Sequence, residues 1–276
     1  MSYELEVDGA RCRVWPDGPN WDGMPAAAIG RLEIPDPASG LTLLTRACET
    51  LRAAGRTAVL APMDGDTWHP YRAVTQSDGS PPYLLEPTSG RHDASVLAAA
   101  GFRSIADYVS SRAPVPPPGG PAPAVPGVIV QAWDGTGAEP MLDRLFALSG
   151  ASFADKRFFK AIDRDAFLAL YRPLLRLIDP RLVLFALDEG AGLAGFLFGI
   201  PDRLQGSAPD TAILKTYASG RPGVGHLLAH RFHEAARELG YVHVIHALMH
   251  VENVSLQRSA LHSGQVFRRY SLFGRR

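Results

Sequence analysis

Six of the nine histidines lie between His226 and His250, and they sit beside a glycine-rich turn, "GRPGVG", from Gly220 to Gly225. An imidazole titrates near neutrality and can take or give a proton under ordinary conditions. On "YVHVIHALMH" the two-residue alternation of a strand places His246, Leu248 and His250 on one face. His246 and His250 are therefore candidate bases, directly or through a water, and the competing reading is a pair of hydrogen-bonded strand histidines. Tyr217 and Tyr270 are candidate acids, or packing aromatics with satisfied hydroxyls. Glu252 is nearby, at the expected edge of the strand in solvent. His226 and His230 are one helical turn apart, a spacing that can chelate a metal. No His-Glu-x-x-His accompanies them, and no Cys or carboxylate ligand is close, so no metal is expected.

The glycine turn opens a long helical pattern. The first turn of a helix leaves four N–H groups unpaired and carries partial positive charge. Glycine lets the backbone adopt unusual angles and lets an anion approach closely. Together these make a phosphate cradle. It is not a P-loop, because no Gly-Lys-Ser/Thr follows. It is not a dinucleotide fingerprint either, because Leu228 stands where the third glycine belongs. The alternative is a plain strand-to-helix turn.

These residues need elements to position them. "TAILKTYAS" reads as a strand before the turn. The following helix shows Leu228, Phe232, Ala235, Ala236 and Leu239 on one face and stops at Gly240. "NVSLQRSALHSG" reads as a short helix and "VFRRYSLF" as a last strand. Upstream, "GVIVQAW" is a strand, "EPMLDRLFALSGASF" a helix, and "RDAFLALYRPLLRLI" a helix interrupted at Pro173. The hairpin strands Leu182–Leu187 and Leu193–Ile200 flank a polar turn.

Proline lacks the N–H and fixes φ, so "PVPPPGGPAPAVPG" (Pro114 to Gly127), with seven prolines and three glycines, reads as an extended linker. It divides the chain into residues 1–113, a linker of 114–126, and residues 127–276. The first part holds the strand "AAAIGRLEI" and a helix with apolar Leu41, Leu44, Ala47 and Leu51 that stops at Gly55. The buried strand "RTAVLAP" comes next, and "DASVLAAAGFRSIADYVSS" closes it as helix, turn and strand. The pairing of "AAAGFRSIADYVS" with "ALHSGQVFRRYSLF" suggests a duplicated unit. In "MDGDTWHPYR", Trp68, His69 and Tyr71 are placed to touch a substrate or to form a surface Asx-type turn.

"ILKTYAS…GRPGVGHLL" with "VIHALMHVENVSLQRSALHSG" resembles the GNAT superfamily of acyl-CoA-dependent N-acyltransferases. That superfamily carries an Arg/Gln-x-x-Gly-x-Gly/Ala turn between a strand and a helix. Here Gly223 and Gly225 match, Gly220 stands at the Arg/Gln position, and Arg221 is one residue away. The resemblance implies an α/β protein of two GNAT-like lobes, each a mixed central sheet flanked by helices, with the N-terminal lobe degenerate. It implies that acetyl-CoA, or another acyl-CoA, is the co-substrate. The pyrophosphate would lie on Gly220, Arg221, Gly223, Val224, Gly225 and His226. The pantetheine arm would pair along Tyr217, Ala218 and Ser219, and Asn253 follows the next strand as in the superfamily. Many members have a Tyr seven residues after that Asn, as the acid for the leaving thiolate. Here that position is Ala260, and the usual Gly-Phe is Gly264-Gln265. The implied activity is transfer of acetyl to a primary amine of a small molecule by direct attack. The alternative is a non-catalytic acyl-CoA sensor or scaffold.

The bulk numbers bound the partners. Of 276 residues 46% are hydrophobic and 20% charged, a balance that buries a sizeable core. With 28 basic and 28 acidic residues there is no charge excess to draw nucleic acid or an anionic membrane. No apolar run is long enough to cross a membrane, and the first residues lack the apolar core of a signal peptide. Cys12 and Cys48 form no C-x-x-C pair and read as free thiols. The expectation is a cytoplasmic protein with a small-molecule amine as partner.

Overall fold

The computed structural model describes residues 2–115, 117 and 123–276. The first part begins with β1 (Tyr3–Val7) and β2 (Ala10–Trp15), an antiparallel hairpin. Its turn is Asp8-Gly9, both at positive φ (49° and 79°), the twist that a two-residue hairpin needs. The short β3 (Asn20–Trp21) pairs with β4 (Met24–Glu33), which leads to α1 (Pro37–Ala53). The Asp36 carboxylate caps α1, accepting from the Ala38 and Ser39 N–H groups at 2.9 and 3.1 Å. The helix buries Leu43, Leu44, Ala47, Cys48 and Leu51, whereas Leu41 stays exposed. It ends at Gly55 (φ 78°), with Arg56 N–H bonded to Leu51 C=O at 2.8 Å. Then come β5 (Ala58–Ala61), β6 (Ala73–Ser77), α2 (Asp93–Ala99) and β7 (Arg103–Pro114).

The second part follows a similar order. β8 (Val128–Ala132) precedes α3 (Ala138–Phe153) and α4 (Arg164–Tyr171). Pro173 ends α4, and Arg172–Leu177 continues as a 3₁₀ segment. β9 (Val183–Asp188) and β10 (Leu193–Pro201) form the expected hairpin. Then come β11 (Thr211–Ser219), α5 (Val224–Glu238), β12 (His243–His250), α6 (Val254–Leu261) and β13 (Gln265–Arg275).

The strands form one sheet in the order β1-β2-β4-β5-β13-β7-β12-β11-β10-β9-β8. β4 runs parallel to β5, and β11 parallel to β12, so each part contains one strand–helix–strand crossover, through α1 or α5. The last strands are exchanged. β13, the end of the chain, lies against β5, and β7 lies against β12. β7 and β13 pair antiparallel in the centre, from Gln265 opposite Arg112 to Gly274 opposite Arg103. The "AAAGFRSIADYVS" and "ALHSGQVFRRYSLF" segments are therefore the two helix–strand units that meet at this seam. The linker expected from Pro114 to Gly127 falls partly outside the described residues.

Helices cover both faces. α1 and α2 pack on one face of the first part with Val14, Ile29 and Phe273. α5 packs on β9–β12 through Val224, Leu228, Phe232 and Ala236. α3 and α4 cover the opposite face through Leu142, Leu145, Phe167 and Leu168. Gly199 is needed here, because a Cβ would meet Phe232 at 2.2 Å. Cys12 and Cys48 are free and buried in the first core, and burial pushes the Cys12 thiol up to about 12. Such thiols pack rather than react. Among the described residues no helix is long and apolar enough to cross a membrane.

Candidate active site in the opening between two parallel strands

β11 and β12 pair only from Thr211–His243 to Leu214–His246. Beyond that level each stays bonded to its outer neighbour but leaves the other. β11 follows β10 as far as Ser219, and β12 follows β7 as far as His250. Each strand carries one extra residue at the level where they part. Against β10, Lys215 is the extra residue between Leu214 and Thr216. Against β7, the register slips between His246 and Met249, where Leu248 has φ 57°. A bulge bends its strand and re-aims the side chains after it. Two of them at one level open the sheet into a wedge.

A cavity of about 1150 Å³ fills this wedge and runs under the first part of the chain. One wall is Lys215, Thr216 and Tyr217, and the other is His246 to His250. The roof is the loop from Thr67 to Arg72 with Leu85 and Glu86, and aromatic rings from α3, α4 and β10 close the far side. The Trp68 loop forms the expected Asx turn, and it faces the cavity. The Asp66 carboxylate accepts from the Trp68 and His69 N–H groups at 2.8 and 3.1 Å, an Asx turn. Trp68, His69 and Tyr71 also line the cavity. Trp68 Nε1–H donates to the Lys160 carbonyl at 2.8 Å, which ties this loop to the second part.

The bulges correct the one-face expectation for the strand histidines. His246 turns toward α5 and α6. Its Nε2 is 2.9 Å from His233 Nε2, and its Nδ1 is 2.7 Å from Ser259 Oγ. Burial pushes its pKa down to about 3 and that of His233 to about 2. His246 is thus neutral, engaged at both nitrogens and a poor base. Leu248 and His250 turn the other way. Leu248 packs between the cores of the two parts, and the His250 ring stands edge-on to Tyr108 at 5.0 Å. His250 Nδ1 accepts from the Glu252 N–H at 3.2 Å, which puts the proton of the neutral ring on Nε2. In this geometry His250 is a donor into the cavity, with its free lone pair already used.

The two tyrosines separate. Tyr217 lines the cavity; its hydroxyl donates to Ser255 Oγ at 3.0 Å and accepts from Arg258 Nη1 at 3.1 Å. Tyr270 is fully buried at the central seam, away from the cavity lining. Its hydroxyl bonds to Glu86, Ser110 and Tyr83, and burial pushes its pKa up. Tyr270 therefore holds the core and is not placed to protonate anything in the cavity. Ala260 is exposed, while Ser259 of α6 and His262, just past its end, line the cavity.

Past Tyr217 the wedge ends at the glycine turn, Ala218 to His226. Gly223 caps α5 with φ 84° and no side-chain cap. Among the described residues the N–H groups of Arg221, Gly223 and Gly225 have no acceptor. A Cβ on Gly225 would meet Arg258 Nη1 at 2.7 Å and Tyr217 Cε2 at 3.2 Å. Arg258, which the sequence reading did not single out, thus sets a cation over the turn. Asn253 caps α6 and lines the cavity. A pyrophosphate fits this set of free N–H groups, helix end and arginine. The corresponding end of α1 is different, because Asp36 fills it with the chain's own carboxylate. The end of the linker reaches the turn as well. Arg221 Nη2 donates to the Pro126 carbonyl at 2.9 Å, and Val125 lies 3.2 Å from where a Gly223 Cβ would be.

Sequence comparison is silent: no family model matches the chain, and no curated protein matches it. Solved structures do match. A GCN5-related N-acetyltransferase from Sphaerobacter thermophilus superposes with TM-score 0.59 at 13% identity, over 97% of this chain and 78% of that one. A tandem GNAT protein from the clavulanic acid biosynthesis pathway superposes with TM-score 0.57 at 15% identity, over 99% of this chain and 82% of that one. The chain has the GNAT fold. At these identities the likeness concerns architecture, and it covers both parts of the chain.

Lys215 is the other residue missing from the expectations. It has a half-buried position at the point of the wedge, and its Nζ donates to the Leu85 carbonyl at 2.8 Å. Burial, with Arg72 nearby, pushes its pKa down to about 7. The signal was present in "TAILKTYAS", a lone lysine inside an apolar strand of a chain with only three lysines. Among the described residues no group of three His, Cys, Asp or Glu is placed to hold a metal ion.

Proposed function

We propose that this protein is an acyl-CoA-dependent N-acyltransferase that moves an acyl group, acetyl in the simplest case, to a primary amine of a small molecule by direct attack. The observation that carries this reading is the wedge between β11 and β12, closed at one end by a helix terminus with unpaired N–H groups and opening at the other into a cavity.

In this reading the pyrophosphate of the co-substrate lies on the turn from Gly220 to His226, beside Arg258. The thioester arm follows Tyr217, Ala218 and Ser219 past Asn253. Lys215, with a pKa of about 7, is half neutral at neutral pH and takes the proton of the acceptor's ammonium. The freed amine attacks the thioester carbonyl. The C–N bond forms, the C–S bond breaks, the departing thiolate takes a proton from the Tyr217 hydroxyl, and the second proton shed by the amine nitrogen as it becomes the amide returns to the Tyr217 oxygen. Tyr217 thus stands in for the tyrosine absent at Ala260, and the His250 Nε2–H is a hydrogen-bond donor for the reacting carbonyl.

One observation favours the non-catalytic reading, a sensor or scaffold. Val125 and Pro126 sit against the turn and narrow the approach to it. Thiol release separates the two. Purified protein with acetyl-CoA and a panel of amines should release free coenzyme A with at least one amine. A protein that binds coenzyme A and releases no thiol with any of them is the sensor.

A further inference from the structure

Arg72 is a buried cation with no anion. It is 7% exposed, and among the described residues no carboxylate pairs with it. Its guanidinium packs against two rings, 3.8 Å from the Tyr71 centroid and 3.7 Å from the Tyr108 centroid. The two rings stand at 89° to each other with centroids 5.9 Å apart, so they wall the guanidinium on two adjacent sides and leave its N–H edge to polar partners. Along that edge Nη2 donates to the Tyr71 hydroxyl, and Nε has no partner. Glu86, a buried carboxylate that lines the same cavity, is committed to Arg268 Nη1 at 2.8 Å and to the Tyr270 hydroxyl. The residue also has φ 88°, a conformation that is strained for a non-glycine residue and persists only where the surroundings demand it.

Burying a charge without a partner is expensive, so such a group is normally neutralised or paired. Burial holds the Arg72 pKa down at about 10, which still leaves it charged at neutral pH. Arg72 and Lys215 both line the cavity, and each charge bears on the other. An edge-on guanidinium matches the plane of a carboxylate. The surrounding wall is aromatic: Trp68, Phe158, Phe167, Tyr171, Phe196 and Phe198. That wall suits an apolar or aromatic body rather than a sugar or a polyamine.

We propose that Arg72 binds a carboxylate carried by one of the two substrates, so that the cavity selects a molecule with an apolar or aromatic body and an acidic group. This inference rests on the N-acyltransferase reading for what the carboxylate belongs to. The carboxylate is either on the acceptor, which is then an amino acid or a relative of one, or on the acyl group, which is then a dicarboxylic acyl chain. The anion site itself stands apart from turnover.

The first test uses the wild-type protein alone. 3-Phenylpropionate and its neutral isostere 3-phenylpropionamide are titrated by calorimetry. A charge-assisted pair predicts that the acid binds about 10- to 100-fold more tightly than the amide. Equal binding overturns the proposal. Arg72→Met should lose the preference and Arg72→Lys should keep part of it; a Met variant that binds the acid like wild type also overturns it. Two turnover pairs then locate the carboxylate. With acetyl-CoA, phenylalanine faster than phenethylamine assigns it to the acceptor. With phenethylamine, succinyl-CoA faster than acetyl-CoA assigns it to the acyl group. Turnover in which neither pair discriminates overturns the proposal. Arg72-dependent binding of the acid with no thiol release from any pair supports the anion site and removes the acyltransferase reading instead.

Discussion

The Nζ of Lys215 donates to the main-chain carbonyl of Leu85 across the cavity, at 2.8 Å. One residue belongs to the bulge of β11 and the other to the roof supplied by the first part of the chain. The bond sets an amine at the point where the parallel strands separate. Burial there, with the Arg72 charge nearby, lets that amine lose its proton near neutrality.

Lys215 gives the first prediction, on pH. The lysine acts as a base only when neutral. Its pKa of about 7 lies below the ordinary lysine value, so the active form accumulates as pH rises through 7. kcat/KM, which reports the free enzyme, should therefore rise with pH up to about 7 and level off above it. Lys215→Met should lower kcat/KM by about 100-fold and abolish that limb. The same variant removes a buried amine, so its melting temperature should rise by a few degrees, on the order expected for a relieved functional site. A Lys215→Met enzyme with the wild-type pH profile would exclude the lysine as base.

Tyr217 gives the second. Tyr217→Phe keeps the ring beside Gly225 and removes the hydroxyl shared with Ser255 and Arg258. It should lower kcat by about 10- to 100-fold and leave acetyl-CoA affinity within about threefold of wild type. Tyr270→Phe should behave oppositely. It leaves Glu86 short of a hydrogen bond in the core, costs about 1–3 kcal/mol of stability, and spares kcat. Parallel kinetics and melting curves on the two variants check both statements.

The buried imidazoles give the third. His233 and His246 have folded pKa values of about 2 and 3, below the unfolded value of about 6.5. The unfolded chain binds more protons than the folded one between these limits. Stability conferred by the neutral cluster is therefore complete above about pH 6.5 and is lost as pH falls toward 3. The melting temperature should fall steadily over that window. His233→Phe should flatten the dependence, and an unchanged slope would show that the cluster is not its source.

Much of this was legible in the chain. The expected helices and the hairpin of β9 and β10 formed where proline, glycine and capping residues mark their ends. The crossover β11–α5–β12 follows from one apolar stripe and one glycine turn. What the sequence hid were the events that break a period. Alternation carried through "YVHVIHALMH" put His246 and His250 on one face. A single extra residue at Leu248 sends them to opposite sides of the sheet. The bulge at Lys215 is just as invisible, since one inserted residue leaves the apolar pattern nearly intact. β1 and β2 are marked in the sequence by the Asp8-Gly9 hairpin signal alone, because their charged outward residues mask the apolar face. Arg258 meets Tyr217 and Gly225, and Arg72 meets Tyr108, across long stretches of sequence, and the exchange of β7 and β13 is a matter of topology that spacing alone does not encode.

The central claim is that the turn before α5 holds the pyrophosphate of an acyl-CoA. Calorimetric titration of acetyl-CoA into the wild type and into Gly223→Glu/Gly225→Glu tests it most directly. Two carboxylates would fill the space and oppose the phosphates, and a side chain at Gly225 would displace Arg258. Micromolar binding to the wild type, lost in the variant while it still melts cooperatively, is the predicted result. A wild type that does not bind acetyl-CoA, or a variant that binds it equally well, would contradict the account.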